Sequence, residues 1–389
     1  MDEPIFSKEN DNNLLNLPQS PRYYSLDIWR GVACLMVIFY HAAFYEGFQN
    51  ADYQSQDWLI GFISKAIGGM WIGVTIFFVI SGYCIMATTD ITRRKTNPVK
   101  QYFLRRFKRI YPPYWVFLAL SALLVMVLYQ PWPYLLTETH YPIPHPASLS
   151  LSQCIGNITL TETWRYHFFG EQTKFLIDSA WTLCYEEQFY AICGLILFLA
   201  PRQLFQITFW ISIIVFFVRY FSSTLNIPVF GFFFDGRWLS FALGIMLYYK
   251  INYAYKEQTK WINAFLILSL IVIFVIEVAL ELPYSKWRVE MLVSLIFTIL
   301  ISVLHCWDIK MYNFKILRPV KFCGLICYSL YMIHLPIVKI VSNILHLQGL
   351  KGGWITLLVT IPISTITAIL VSWLFYTTVE KRFLNKPQI

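Results

Sequence analysis

The sequence has 389 residues, of which 57% are apolar and only 14% charged, and a formal net charge of +9. An average soluble protein carries about 25% charged residues, so this chain lacks the charge to coat a globule of its size. Uncharged stretches of membrane-spanning length recur, which excludes a soluble single-domain fold, a disordered chain and a small disulfide scaffold. The expected fold class is all-α, a polytopic membrane helical bundle.

Residues 1–22 are polar and acidic, with no basic region leading into a short apolar core. They read as a polar cytoplasmic segment, and the first apolar stretch as a retained helix. Crossing ~30 Å of hydrocarbon takes ~20 residues. In chain order the windows that meet or approach this are Leu26–Tyr45, Ala66–Thr89, Ile110–Thr137, Trp181–Ala200, Gln203–Val218, Val229–Tyr249, Trp261–Ile276, Met291–Trp307, Phe322–Val338 and Gly352–Val379. About ten transmembrane helices are therefore expected, in a membrane domain over 23–384, followed by a short cytoplasmic tail at 385–389. The eight cysteines form no CxxC pair and read as small buried hydrophobes.

Lys and Arg in the short connections set the orientation. Asp90–Pro112 carries eight basic residues against one acid, so this loop is placed in the cytoplasm together with both termini. The longest connection, Glu138–Ser179, then lies outside. The basic loop has two readings. It can anchor on anionic lipid, or its Arg105, Arg106 and Arg109, interleaved with aromatic residues, can capture phosphates through guanidinium forks.

Ionisable residues inside spans are costly and are functional candidates. Arg30 and His41 are eleven residues apart, ~1100° of helix, so they share one face about 16 Å apart along the axis. The structural alternative for this pair is a snorkelling Arg30 and a His41 bonded to a neighbouring carbonyl. Glu186 and Glu187 are adjacent and point ~100° apart, which turns Glu186 to the bundle and Glu187 to headgroups or water. Arg237 opens the sixth window. Tyr331 and His334, at i and i+3, are neighbours on the ninth. Walker, Rossmann, HExxH and G-x-S-x-G signatures are absent.

Seven segments in this order resemble the acyltransferase-3 family of integral membrane acyltransferases, which includes bacterial O-antigen and capsule O-acetyltransferases. They are Arg30-Gly-x9-His41, Phe77-Phe-Val-Ile-Ser81-Gly82, Arg105-Arg106-Phe-Lys-Arg109-Ile-Tyr-Pro112, Trp181-Thr-Leu-x-x-Glu186-Glu-Gln-Phe-Tyr190, Gly236-Arg237 with Gly244, Tyr328-Ser-Leu-Tyr331-x-x-His334-x-Pro336, and Glu380-Lys-Arg-Phe383. Thr182 and Cys327 stand where the family usually has Ser. The resemblance implies a multi-pass protein of the bacterial inner membrane that moves an acyl group, with acetyl expected, from cytoplasmic acyl-CoA to a hydroxyl of a cell-surface glycan or its lipid-linked precursor. The sequence ends soon after the Glu380 motif, so transfer is expected to be completed by the membrane domain.

On this reading Arg30, Arg105, Arg106 and Arg109 hold the acyl-CoA phosphates and His41 acts as general base. Glu186 orients His41 or the acceptor, and Arg237 stabilises the oxyanion. Ser81, Tyr331 and His334 support the site. Acetyl-CoA enters as donor substrate, no permanently bound cofactor or metal is expected, and the partners are the donor, a glycan acceptor and membrane lipid, with no nucleic acid. The rival expectation is a transporter or flippase for a glycan lipid or proton-coupled solute, with the same charges lining a permeation path.

Overall fold

The computed structural model describes residues 23–44, 58–137, 143–225, 227, 229–279 and 285–384. The polar segment 1–22 and the tail 385–389 lie outside these residues. The described chain is a helical membrane bundle, and nine of its helices are long and apolar enough to cross a bilayer. In chain order the main helices are α1 (Leu26–Phe44), α2 (Trp58–Gly68), α3 (Gly73–Thr92), α4 (Pro98–Tyr129), α5 (Leu151–Thr159), α6 (Glu162–Phe169) and α7 (Ala180–Leu199). They continue with α8 (Leu204–Leu225), α9 (Arg237–Asn252), α10 (Lys256–Ala279), α11 (Lys286–Leu304), α12 (Arg318–Leu325), α13 (Cys327–Leu347) and α14 (Ile361–Thr378). A single 3-10 turn joins α2 to α3, and the pair crosses as one unit from Trp58 to Thr92.

Three elements differ from the sequence expectation. The sixth of the ten expected spans is α9, only 16 residues long and so about 24 Å. It starts late because the chain turns first through Phe233–Asp235 and then Gly236, whose φ of +105° favours glycine. A short helix suffices there because α9 is enclosed by protein: Trp238, Phe241 and Tyr248 are fully buried. By contrast α10 turns Trp261, Phe265, Leu268 and Val272 outward as lipid-facing surface.

The second difference is the basic loop. Only residues 93–97 separate α3 from α4, and Arg105, Arg106 and Arg109 lie on the first turns of a 32-residue helix. Pro98 at its first position has no N–H to leave unpaired. Pro112 and Pro113 interrupt its internal bonding further on, and beside them the Tyr328 hydroxyl donates to the Ile110 carbonyl at 2.8 Å. The third difference is α13, which runs from Cys327 to Leu347 rather than stopping at Val338, and so carries Lys339 in its interior.

Close crossings hold the bundle. A Cβ on Gly82 would lie 1.9 Å from the Phe241 carbonyl oxygen, and one on Gly244 equally close to the Val79 carbonyl, so α3 and α9 touch backbone to backbone. Gly324 of α12 meets the Asp27 carbonyl of α1 in the same way. Without a hydrophobic drive between helices in lipid, such small-residue contacts supply the packing. One end of the bundle is tied by polar contacts: Asp308 accepts from the backbone of Tyr24 and Ser25, and Asp90 pairs with Arg93 and Arg94. Towards the other end, α5 and α6 form a folded segment, with a capping box at Ser150 and Gln153 and a buried Arg165–Glu162 pair. It docks on α4 through Tyr114, whose hydroxyl donates to the Asn157 carbonyl at 2.6 Å. The long connection expected at Glu138–Ser179 is thus folded wherever it is described.

Candidate active site

The site is assembled from α1, α3, α4, α7 and α13. At the basic end, Arg30 donates from Nη1 to Asp27 at 2.9 Å and from Nη2 to the Cys84 sulfur of α3 at 2.9 Å. Cys327, at the start of α13, is within electrostatic range of both Arg30 and Arg109, as is Glu380 of Arg109. Glu380 is itself buried and bonded to the Ser329 hydroxyl and backbone.

The three α4 arginines separate, because the helix sends them in different directions. Arg106 turns inward: its guanidinium lies 4.9 Å from the centre of the Tyr190 ring, with Glu186 within electrostatic range. Its Nε and Nη2 are buried without a hydrogen-bond partner among the described residues. Arg109, one turn on, is exposed. Arg105 falls about 100° from Arg106, and the charge it faces is Lys95. Arg30 is thus linked to Arg106 through Cys84 and to Arg109 through Cys327, while Arg105 lies near Lys95.

One turn deeper, Glu186 of α7 accepts the Ser81 hydroxyl of α3 on Oε1 at 2.6 Å and the Tyr190 hydroxyl on Oε2 at 2.8 Å. Both carboxylate oxygens are thereby engaged, and neither with His41. Glu186 was expected to orient His41 or the acceptor; among the described residues it faces the bundle and bonds Ser81 and Tyr190, with no hydrogen bond to His41. Glu187 also departs from expectation. Its Oε1 is buried and without a hydrogen-bond partner, near Arg106 and Tyr111, rather than in headgroups or water. The α4 helix covers the face of α7 that would otherwise meet lipid.

Deeper still, the rings of His41 and His334 lie 5.4 Å apart. His334 is 1% exposed; its Nδ1 contacts the Tyr331 carbonyl at 2.7 Å, and its Nε2 is buried with no hydrogen-bond partner. The Tyr331 ring packs on His334 at 5.6 Å and on Phe77, one turn before Ser81, at 5.4 Å. Lys339, 1% exposed, lies within electrostatic range of His41 and of Asp178 just ahead of α7. Burial raises the Asp178 carboxyl to about 6, opposed by the Lys339 charge.

Arg237 stands outside this run. It forms an ion pair with Asp235, donates from Nη1 to the Tyr185 hydroxyl at 3.0 Å, lies 3.8 Å from the Glu290 carboxylate, and sits over the Trp181 and Tyr185 rings. Among the described residues no contact joins Arg237 to His41 or to Glu186.

Sequence reading missed Tyr190, Cys84, Lys339 and Asp178. Tyr190 follows Glu186 by four residues, a helical spacing that could have paired them, but no spacing rule brings Ser81 to the same carboxylate. Lys339 had a signal of its own: a charge within helical reach of His334, which a hydropathy window treats as an end.

The sequence profile of the acyltransferase-3 family, described as an acyltransferase domain, matches residues 23–377. The chain is 25% identical over 378 residues to the O-acetyltransferase OatA of Staphylococcus aureus strain NCTC 8325, covering 85% of this chain and 53% of that protein. It is 24% identical over 359 residues to the peptidoglycan O-acetyltransferase OatA of Listeria monocytogenes, covering 83% of this chain and 50% of that one. The chain thus spans about half the length of these curated relatives. No solved structure matches.

Proposed function

Because the chain belongs to the acyltransferase-3 family, we propose that it is an O-acyltransferase of the bacterial cell membrane, carrying an acetyl group from cytoplasmic acetyl-CoA to a hydroxyl of a surface glycan. Peptidoglycan is the first acceptor to try, since a relative in Listeria is named for it. The basic end, where Arg30, Arg106 and Arg109 gather, is assigned to the cytoplasm.

The observation that carries this reading is the order of polar groups through the bundle: arginines at the basic end, then Ser81 and Glu186, then the paired rings of His41 and His334. An acyl-CoA has matching needs, with phosphates that bind guanidinium forks and a thioester on a long flexible arm. Arg106 is suited to an anion because its buried donors are unclaimed by the protein. The His41 imidazole takes the proton of the acceptor hydroxyl near neutral pH. His334 fixes its own tautomer through the Tyr331 carbonyl and presents Nε2 to the same space.

The test uses the full chain in lipid nanodiscs, with acetyl-CoA and peptidoglycan fragments. Acetyl-dependent CoA release with ester formation on the glycan supports the reading. Transmembrane movement of a glycan lipid with no thioester cleavage would replace it by the transporter.

A further inference from the structure

Ser81 lies near the middle of α3, about 12 Å from its start, and is half-buried. A hydroxyl inside a helix ordinarily bonds back to the carbonyl four residues earlier. Thr88 and Thr89 of the same helix do this, donating to Cys84 and Ile85 at 2.9 and 2.8 Å. Ser81 does not: its hydroxyl donates to Glu186 at 2.6 Å. Glu186 is in turn fixed by the Tyr190 hydroxyl at 2.8 Å on its other oxygen. A hydroxyl on a carboxylate that a third group holds in place is the arrangement of an activated nucleophile and its base. Arg106 completes the cluster. Stacked on the Tyr190 ring, it keeps two buried N–H donors free for charge that develops beside Ser81. The backbone beside Ser81 is tightly packed, because Gly82 lies directly against the Phe241 carbonyl.

We propose that Ser81 is the nucleophile of a two-step transfer and carries the acyl group as an ester between donor and acceptor. This rests on the acyl-CoA reading above and adds a covalent step to it. In the first half-reaction Ser81 Oγ attacks the thioester carbonyl and its proton passes to Glu186. The carbon–sulfur bond breaks, and CoA departs as the thiol with that proton. In the second, the acceptor oxygen attacks the acyl-serine carbonyl and the serine ester bond breaks. The acceptor proton, taken first by His41, ends on Ser81 Oγ. Nothing is oxidised or reduced, and no further reactant is needed. A carrier midway through the bundle lets a cytoplasmic donor and an acceptor from the other side react without meeting.

The experiment incubates the purified full chain in nanodiscs with radiolabelled acetyl-CoA and no acceptor, quenches in acid and maps the label by mass spectrometry. Expected are a burst of CoA release stoichiometric with protein, one acetyl group on the peptide containing Ser81, and its discharge when acceptor is added. Ser81→Ala should lose both burst and label, and its turnover with acceptor should fall by at least about 10³-fold, in line with removal of other catalytic nucleophiles. Ser81→Cys should restore a label that neutral hydroxylamine removes, which a folding defect in the alanine variant could not mimic. Normal turnover with acceptor, no label on the wild type and an active Ser81→Ala would overturn the serine carrier while leaving the acyltransferase intact. Absence of any acetyl-CoA cleavage, with acceptor or without, would instead overturn the donor reading and the carrier with it.

Discussion

Arg106 and Arg237 are both guanidinium groups held against tyrosine rings inside the bundle, and their surroundings are opposite. Arg237 is paired with Asp235, bonded to Tyr185 and neighboured by Glu290. Arg106 has ring contact and nearby charge but two buried donors without a protein partner. Taking a guanidinium out of water is expensive, and geometry must return that cost through close partners. At Arg237 the protein supplies those partners itself, so the group is complete and joins α7, α9 and α11. At Arg106 the protein leaves donors open, as a residue that waits for an anionic ligand must. The same contrast separates the Arg165 pair of the α5–α6 segment, bidentate on Glu162 at 2.7 and 3.1 Å, from His334, whose Nε2 stays unclaimed. Arg237 and Arg165 are satisfied within the fold, whereas Arg106 and His334 bring unclaimed polar atoms to the candidate site.

The sharpest break of the comparison is Arg237→Met. It strands Asp235 and Glu290 in the interior, and losing one partner of a buried pair costs about 3–5 kcal/mol. Thermal unfolding in detergent should show a large fall in midpoint and a poor yield of inserted protein. An unchanged midpoint would mean that the Arg237 network does not hold the helices together. Next comes His41→Gln, which keeps hydrogen bonding but cannot take a proton near neutral pH. Acetyl transfer should fall about 10²–10⁴-fold at an unchanged unfolding midpoint. Near-normal turnover would move the base to His334.

Arg106→Ala should do the converse of Arg237→Met. The apparent KM for acetyl-CoA should rise about tenfold or more, from loss of charge-assisted contacts worth ~1.5–3 kcal/mol each, while the unfolding midpoint holds. A fall in stability with unchanged KM would make Arg106 a structural residue like Arg237. The smallest effect concerns pH. The Ser150 and Ser152 hydroxyls, with Arg165 behind them, hold the Glu171 carboxyl below its ordinary value. A lowered pKa means that these contacts stabilise the segment above the unfolded value of about 4.3, and that the gain fades as pH falls through the folded value. Amide protection in residues 150–176, taken relative to the intrinsic exchange rate at each pH, should fall below about pH 4 and do so less in Glu171→Gln. Identical acid responses in the two would remove Glu171 from the account.

Periodicity and the bilayer made much of this fold legible from the residues alone. Hydrocarbon tolerates only apolar helices whose backbone bonds are internal, so hydropathy windows found the spans. The 3.6-residue turn put Tyr331 beside His334. Windows failed where a charge faces protein instead of lipid: Lys339 sits inside α13, and α9 is shorter than a bilayer because its neighbours, not lipid, surround it. Chain spacing also could not say what a side chain meets on another helix. Ser81 and Glu186 are 105 residues apart in sequence, and Glu186 was expected on His41 or on the acceptor. The rotation of each helix decides such pairings. That rotation is set by close crossings such as Gly82 on Phe241 and Gly244 on Val79, contacts between distant backbones that only the tertiary structure brings together.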